Sequence, residues 1–185
     1  MLARGTACLM YPIIRMTKEY LKFRKAPALP LTGTHISHHR CWPWDIDLWM
    51  ELNNGRTLTL YDLGRIPLAM RTGLWGALKK NRWGITVAGN TTRYRKRVRA
   101  FQRFEMRSRC IGWDDRWMWL EHAMFIDGEC TSHVLIRGAV TSRKGMIAPA
   151  QVLSEMGLDT PSPDLPEFVT AWAQADSKRP WPPTL

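Results

Sequence analysis

A stretch of helical periodicity at residues 55–72, followed by a long run of strand-like sequence at 84–146, limits the folds open to this chain. In 55-GRTLTLYDLGRIPLAMRT-72, Leu60, Leu63, Pro67 and Met70 fall at i, i+3, i+7 and i+10 and share one helical face. The preceding Asn53-Asn54-Gly55 offers an asparagine N-cap, Pro67 should bend or interrupt the helix, and Gly73 is placed to end it. Beyond residue 84 the period shortens to that of strands. In 93-RYRKRVR-99 one parity is entirely Arg93, Arg95, Arg97 and Arg99. Past a turn at 100–102, Arg103, Arg107 and Arg109 share a parity with Glu105, while Phe104, Met106 and Cys110 take the other. This predicts a hairpin with one cationic face. Asp114-Asp115 and Asp127-Gly128 mark turns on either side of an aromatic, Met-rich strand, and 130–142 reads as a last strand. One apolar-faced helix and about four antiparallel strands fit an α+β domain whose sheet wraps one long helix.

The flanking segments read as follows. The run 35-HISHHRCWPW-44 is strand-like, with Ile36, Trp42 and Trp44 on one face. His35 and His39 share a strand face and His38 takes the other; with no carboxylate or Cys at ligand spacing, they read as solvated side chains and no metal site is expected. Residues 16–25 form a basic leader helix ended by a Pro-rich linker, and 148–157 a short helix with Pro149 in its first turn and Gly157 at its end. The expected organisation is a leader and linker at 1–33, one domain at 34–157, and a Pro-rich appendage with a short helix at 158–185. Cys8, Cys41, Cys110 and Cys130 are widely spaced without a CxxC, which favours reduced, buried thiols in a cytoplasmic protein. No apolar run approaches the ~18–20 residues of a membrane span, and the start lacks the form of a secretory signal.

Charge narrows the partners. Lys+Arg number 27 against 16 Asp+Glu, a net +11, which points to an anionic partner: nucleic acid, anionic lipid or a phosphate-bearing substrate. The aromatic residues do not interleave with the arginine run as a base-stacking platform requires, so nucleic acid is not expected.

The segment 45-DIDLWMELNNGRTLTLYDLGR-65 resembles the signature of hotdog-fold acyl-CoA thioesterases of the 4-hydroxybenzoyl-CoA thioesterase type, roughly D-x-D-x-x-G-H-x-N-N-x-x-Y. Asp45 and Asp47 match its aspartates and Asn53-Asn54 its asparagine pair. Asp62 stands where the family's helix carries an acidic residue. The segments 91-TTRYRKRVR-99 and 137-RGAVTSRKGMIAPAQVLSEMG-157 resemble the family's second strand and its last strand, turn and short helix. The resemblance covers about residues 36–157 and points to a bacterial branch of thioesterase-like proteins of unassigned activity. It departs at the Gly-His pair, here Met50-Glu51, and at Thr57 or Leu58, where an aromatic is common. It implies a hotdog fold, an antiparallel sheet around one long central helix. It also implies cofactor-free hydrolysis of an acyl-CoA with Asp47 as the catalytic carboxylate, in a homodimer or homotetramer whose sites lie between protomers.

The residues support such chemistry on their own terms. Thioester hydrolysis needs an activated water or carboxylate nucleophile and donors for the developing oxyanion. A helix N-terminus offers unpaired N–H groups and the positive end of its dipole. Amides near Asn54 and Gly55 can therefore polarise the carbonyl while Asp47 attacks it or activates water. Asp45 reads as structural, Asn53 as supporting, and Glu51 as a second carboxylate or a solvated one. A plain helix cap is the competing reading for Asp47, and a helix-surface pair with Arg65 for Asp62. Trp42, Trp44 and Trp49 are either acyl-pocket walls or core and dimer packing. Arg93, Arg95 and Arg97 either clamp CoA phosphates or form a solvated strand face. A non-catalytic hotdog protein that binds acyl-CoA or acyl carrier protein is the alternative function.

Overall fold

The computed structural model describes residues 11–183. Helix α1 (Ile13–Phe23) leads into strand β1 (His35–Arg40) and a 3₁₀ turn at Pro43–Asp45. The long helix α2 (Asn54–Arg71) and short α3 (Leu74–Asn81) follow. Then come β2 (Gly84–Tyr94), β3 (Arg103–Trp113), β4 (Met118–Ile126), β5 (Glu129–Ser142) and β6 (Gly145–Ile147), closed by α4 (Pro149–Glu155) and α5 (Glu167–Ser177). The sheet runs β1-β3-β4-β5-β2, antiparallel at every pairing, with β6 extending β5. The expected architecture, α+β with an antiparallel sheet curled around one long helix, is what the chain adopts.

Helix α2 starts where its cap chemistry directs: the Asn53 side chain accepts the Arg56 N–H at 3.0 Å. It buries Leu60, Tyr61, Leu63, Gly64, Pro67 and Leu68 against β3, β1 and β4. The helix continues through Pro67 to Arg71, because buried Leu68 and Ala69 beyond it hold the last turn in the core. Gly73, at φ 85°, then turns the chain into α3. Gly64 is the point of closest approach to the sheet: a Cβ there would meet Ser108 Oγ and lie 2.7 Å from Met106 Sδ.

Strand β3 shows the expected alternation, with Phe104, Met106 and Cys110 buried. The two-residue turn Asp127-Gly128 adopts positive φ at both positions, 50° and 81°, as a tight β4–β5 hairpin requires. Helix α5 covers part of the outer sheet face, where Trp172 meets Trp119 edge-on and the Arg137 guanidinium lies between the Trp117 and Trp172 rings. Asp176 on α5 pairs with Arg137 at 2.7 Å.

Three local expectations are corrected. First, the arginines do not line one hairpin. Strand β2 ends at Tyr94 and pairs with β5, and residues 95–102 cross to β3, which pairs with β1 and β4. The Arg95 and Lys96 amides both donate to Thr131 O, at 2.8 and 3.1 Å, and Val98 turns into the core, breaking the strand parity. Second, β1 stops at Arg40, so Trp42 and Trp44 leave the sheet and stack on each other, centroids 5.3 Å apart. Third, His35 and His39 face the core, not solvent, because strand β1 turns His35, Ser37 and His39 inward.

Two predictions follow from this packing. Gly64→Ala should destabilise by about 1–3 kcal/mol in urea unfolding, since the Cβ forces α2 off the sheet. Gly76→Ala, in helix α3 where nothing lies within 4 Å, should be neutral or stabilising by up to about 1 kcal/mol. The buried histidines set an acid limit. Burial, with nearby cations, lowers His35 to about 4 and His39 to about 3, and lowers fully buried His122 as well. Their folded-state pKa values lie below that of the unfolded chain, so the unfolded state binds more protons as the pH falls. The urea midpoint should therefore drop steadily from about pH 6.5 towards pH 4, with Glu19, raised by burial, opposing part of the fall. His122→Leu should flatten that drop, because both ring nitrogens of His122 lack a partner among the described residues and nothing is orphaned by their removal.

Candidate functional site

The site begins with a buried carboxylate. Asp45, at the end of the 3₁₀ turn, is 1% exposed and accepts the Trp42 N–H at 3.0 Å. Its two oxygens bind Arg15 Nη1 and Arg56 Nε, each at 2.7 Å. Arg15 comes from α1 and also donates to Arg40 O at 2.9 Å; Arg56 lies in the first turn of α2. One carboxylate thus ties the leader helix, the end of β1 and the start of the central helix together.

The next residues form a tight turn. Asp47 Oδ1 accepts the Trp49 N–H at 2.8 Å and the Glu51 N–H at 3.4 Å, while an Ile46–Leu52 bridge closes the base. Met50 holds φ 59° at the position where the resembled signature has glycine, so the turn survives with a strained methionine. Its neighbour Glu51 then reaches the head of α2.

There a cleft of about 180 Å³ opens between the helix N-terminus and the crossover from β2 to β3. Glu51, Asn54, Thr57, Tyr94, Arg95 and Arg97 line it, with Ser132 below. Arg97 Nε lies 3.0 Å from Glu51 Oε2, and the Tyr94 hydroxyl donates to Asn54 O at 3.2 Å. Beneath them the Tyr61 and Ser132 hydroxyls pair at 2.9 Å, and burial pushes the Tyr61 phenol up. Two hydrogen bonds serve the later amides of the helix start, Arg56 to the Asn53 side chain and Thr57 to Asn53 O, at 3.0 and 2.8 Å. Asn54 and Gly55 are exposed, and the N–H groups of a first helical turn have no acceptor within the helix.

The cleft gathers Glu51, Asn54, Arg95 and Arg97 from the sequence-derived set, with Asn53 and Gly55 on the same helix start. Asp47 stands outside its wall, in the turn that positions Glu51. Arg93 is exposed on β2, away from the lining. Asp62 lies farther along α2, where it accepts from the Tyr11 hydroxyl at 2.8 Å and pairs with Arg65. It borders a second cavity of about 210 Å³ walled by Trp75, Ile85, Val87 and Leu120. The Tyr11 phenol is raised to about 12 by burial and by Asp62. Trp44 and Trp49 are 66% and 72% exposed, so neither belongs to the core. Sequence reasoning missed Tyr94 and Ser132: the first hides inside the arginine run, and the second carries no local signal. Among the described residues no His, Cys, Asp or Glu trio gathers to hold a metal ion.

Comparison with known proteins places the chain in a family. The sequence profile described as the thioesterase-like superfamily matches residues 41–173. The chain belongs to the thioesterase-like superfamily. It is similar to the protein THEM6 of Xenopus laevis, 32% identical over 164 residues that span 86% of this chain and 77% of that one. It also resembles the thioesterase lcsJ of Purpureocillium lilacinum, 24% identical over 76% of this chain and 58% of that protein. In fold it matches the protein SAV2348 of Staphylococcus aureus, solved in complex with CoA, with a TM-score of 0.60, 11% identity, and coverage of 78% and 96% of the two chains. The superfamily match includes the Asp45 turn, the α2 cleft and most of α5.

The Asp45 junction makes a direct prediction. Asp45→Asn leaves two half-compensated guanidiniums in a buried setting and should cost about 3–5 kcal/mol by urea unfolding. Glu129→Gln, which breaks an exposed pair with Lys96, should cost less than about 1 kcal/mol.

Proposed function

We propose that this chain hydrolyses acyl-CoA thioesters at the cleft that heads α2. The observation that carries the reading is the convergence there of a helix N-terminus, a carboxylate and two arginines. A thioester carbonyl seated at the Asn54 and Gly55 amides has donors for its oxyanion, reinforced by the helix dipole. In the scheme that the family resemblance supports, Asp47 takes a proton from water, or attacks the carbonyl itself. With water as nucleophile the oxygen–carbon bond forms, the carbon–sulfur bond breaks, and the CoA thiolate leaves and is protonated; with Asp47 as nucleophile the same exchange leaves an Asp47–acyl anhydride, which water then cleaves to restore the carboxylate. Free acid and CoA are the products. Arg95 and Arg97 stand where they can meet CoA phosphates, with Arg93 farther out on β2.

One observation favours a second choice of base. Glu51 is the carboxylate that lines the cleft, while Asp47 Oδ1 is engaged by backbone amides of its own turn. In that version Asp47 holds Glu51 in place through its amide. Asp45 remains the structural anchor in both versions, and Asp62 serves the second cavity.

Assembly as a homodimer fits the open edge of β2. Its outer side pairs with no strand among the described residues, and Ile85 and Val87 are 37% and 43% exposed along it. A second copy docked there would close the cavity beside Asp62, which Ile85 and Val87 border. The wide spacing of the cysteines and the free thiols of Cys41, Cys110 and Cys130 fit a reducing compartment, the basis for proposing the cytoplasm. None of the described helices is long and apolar enough to cross a membrane. Cys8 lies outside the described residues. The two sequence relatives named above are animal and fungal, whereas the sequence resemblance pointed to a bacterial branch.

Thiol release from a panel of acyl-CoAs tests the reading. Wild type should turn over at least one chain length. Asp47→Asn should lower kcat by about 10²–10⁴ if Asp47 is the base. A collapse of that size in Glu51→Gln, with Asp47→Asn milder, assigns the base to Glu51. Arg95→Ala and Arg97→Ala should raise KM more than they change kcat. Tight acyl-CoA binding without turnover of any member would overturn hydrolysis and leave an acyl-CoA binder.

A further inference from the structure

A groove of about 430 Å³ lies away from the α2 cleft, between α1, the end of β1 and the start of β3. Its cations are arranged at an energetic cost. Arg40 and Arg103 sit directly opposite each other in the β1–β3 register, where like charges repel. Lys18 approaches from α1. None of these three forms a salt bridge among the described residues, unlike Arg97, Arg107, Arg109 and Arg137, each of which meets a carboxylate. Trp42 lines the groove and holds the Arg40 guanidinium 5.6 Å from its ring centre.

The floor supplies a second, independent observation. Glu19 is 2% exposed, lines this groove, and its Oε2 has no hydrogen-bond partner among the described residues. Its other oxygen lies 4.0 Å from His39 Nδ1. Burial raises this carboxyl, and Lys22, Lys18 and Arg15 pull it back towards the ionised form. A buried acceptor left unpaired costs about 1–3 kcal/mol, so a ligand that donates to it gains accordingly.

We infer that this groove binds a phosphate monoester. The phosphoryl oxygens accept from Arg40, Arg103 and Lys18, and a P–OH or an adjacent ligand hydroxyl donates to Glu19 Oε2. Arginine guanidinium pairs suit this role because their planar donors match phosphate oxygens two at a time. The unpartnered acceptor selects the ligand class. Inorganic phosphate keeps a proton through neutral pH and a monoester keeps its P–OH below a second pKa of about 6, above which only a neighbouring ligand hydroxyl can donate, whereas sulfate carries no proton. A repelling arginine pair with an acceptor behind it is thus completed by phosphate and only half completed by sulfate. The site is independent of the thioester reading, since it shares no side chain with the α2 cleft.

The chemistry is common to a free metabolite and a lipid head group, so two probes are needed. Glycerol 3-phosphate, titrated calorimetrically into the full chain, tests the soluble source. Phosphatidylcholine vesicles with and without phosphatidic acid test the membrane source by co-sedimentation. At least one probe should bind, and inorganic phosphate should displace it at least tenfold better than sulfate. Arg40→Gln and Arg103→Gln should each weaken binding at least tenfold while leaving the thermal midpoint within a few degrees. Glu19→Gln should erase the preference over sulfate; if that variant does not fold, the two arginine variants decide. Binding of glycerol 3-phosphate alone assigns a soluble ligand, and binding of phosphatidic acid vesicles alone assigns a membrane surface. Binding of neither probe, equal displacement by sulfate, or binding unchanged in both arginine variants would overturn the inference.

Discussion

The buried Asp45 carboxylate is the constraint on which the placement of the site depends. A carboxylate removed from water is tolerated only when its lone pairs are met, and here two guanidiniums and a backbone amide meet them. The partners come from distant parts of the chain, the leader helix and the first turn of α2, which also pack against each other. The same contact fixes the direction in which α2 leaves the 3₁₀ turn. Everything at the cleft inherits that direction, from the Asn53 cap to the Asn54 and Gly55 amides. The ion pairs therefore act less as a source of stability than as a device for register, since well-packed apolar groups could stabilise the junction as well.

The cleft then brings together the helix start, a cluster of cations and one carboxylate. The helix start presents partial positive charge, the crossover segment adds Arg95, Lys96 and Arg97, and Glu51 is held against Arg97 at 3.0 Å. Met50 at positive φ shows that the turn geometry matters more than the residue that best adopts it. Strain retained next to a helix head and a cation cluster is the pattern of a site whose loop is over-determined by its surroundings. The Asp47 hydrogen bonds to Trp49 and Glu51 are that surrounding structure.

Much of the fold could be read from periodicity because the signals were local. The α2 stripe of Leu60 and Leu63, the Asn53 cap, the β3 alternation and the Asp127-Gly128 turn each depend on neighbours within a few residues. The misreadings all required distant information. Parity made 93–99 look like a strand, but Val98 is the apolar residue of that run, and its burial bends the chain out of the sheet. His35 and His39 look solvated until α1 is placed over β1, a contact invisible in the order of residues. In the candidate site, the head of α2 and Glu51 were legible from the aspartate and asparagine spacing. The Arg15–Asp45 link and the contributions of Tyr94 and Ser132 were not, since they join residues 30 or more positions apart.

The most direct test is a crystal structure with an S-(2-oxoalkyl)-CoA, which keeps the carbonyl but cannot be hydrolysed. The account predicts its carbonyl oxygen within about 2.7–3.2 Å of the Asn54 or Gly55 amide, with a CoA phosphate against Arg95 or Arg97. A carbonyl seated elsewhere, with the head of α2 left to solvent, would contradict it.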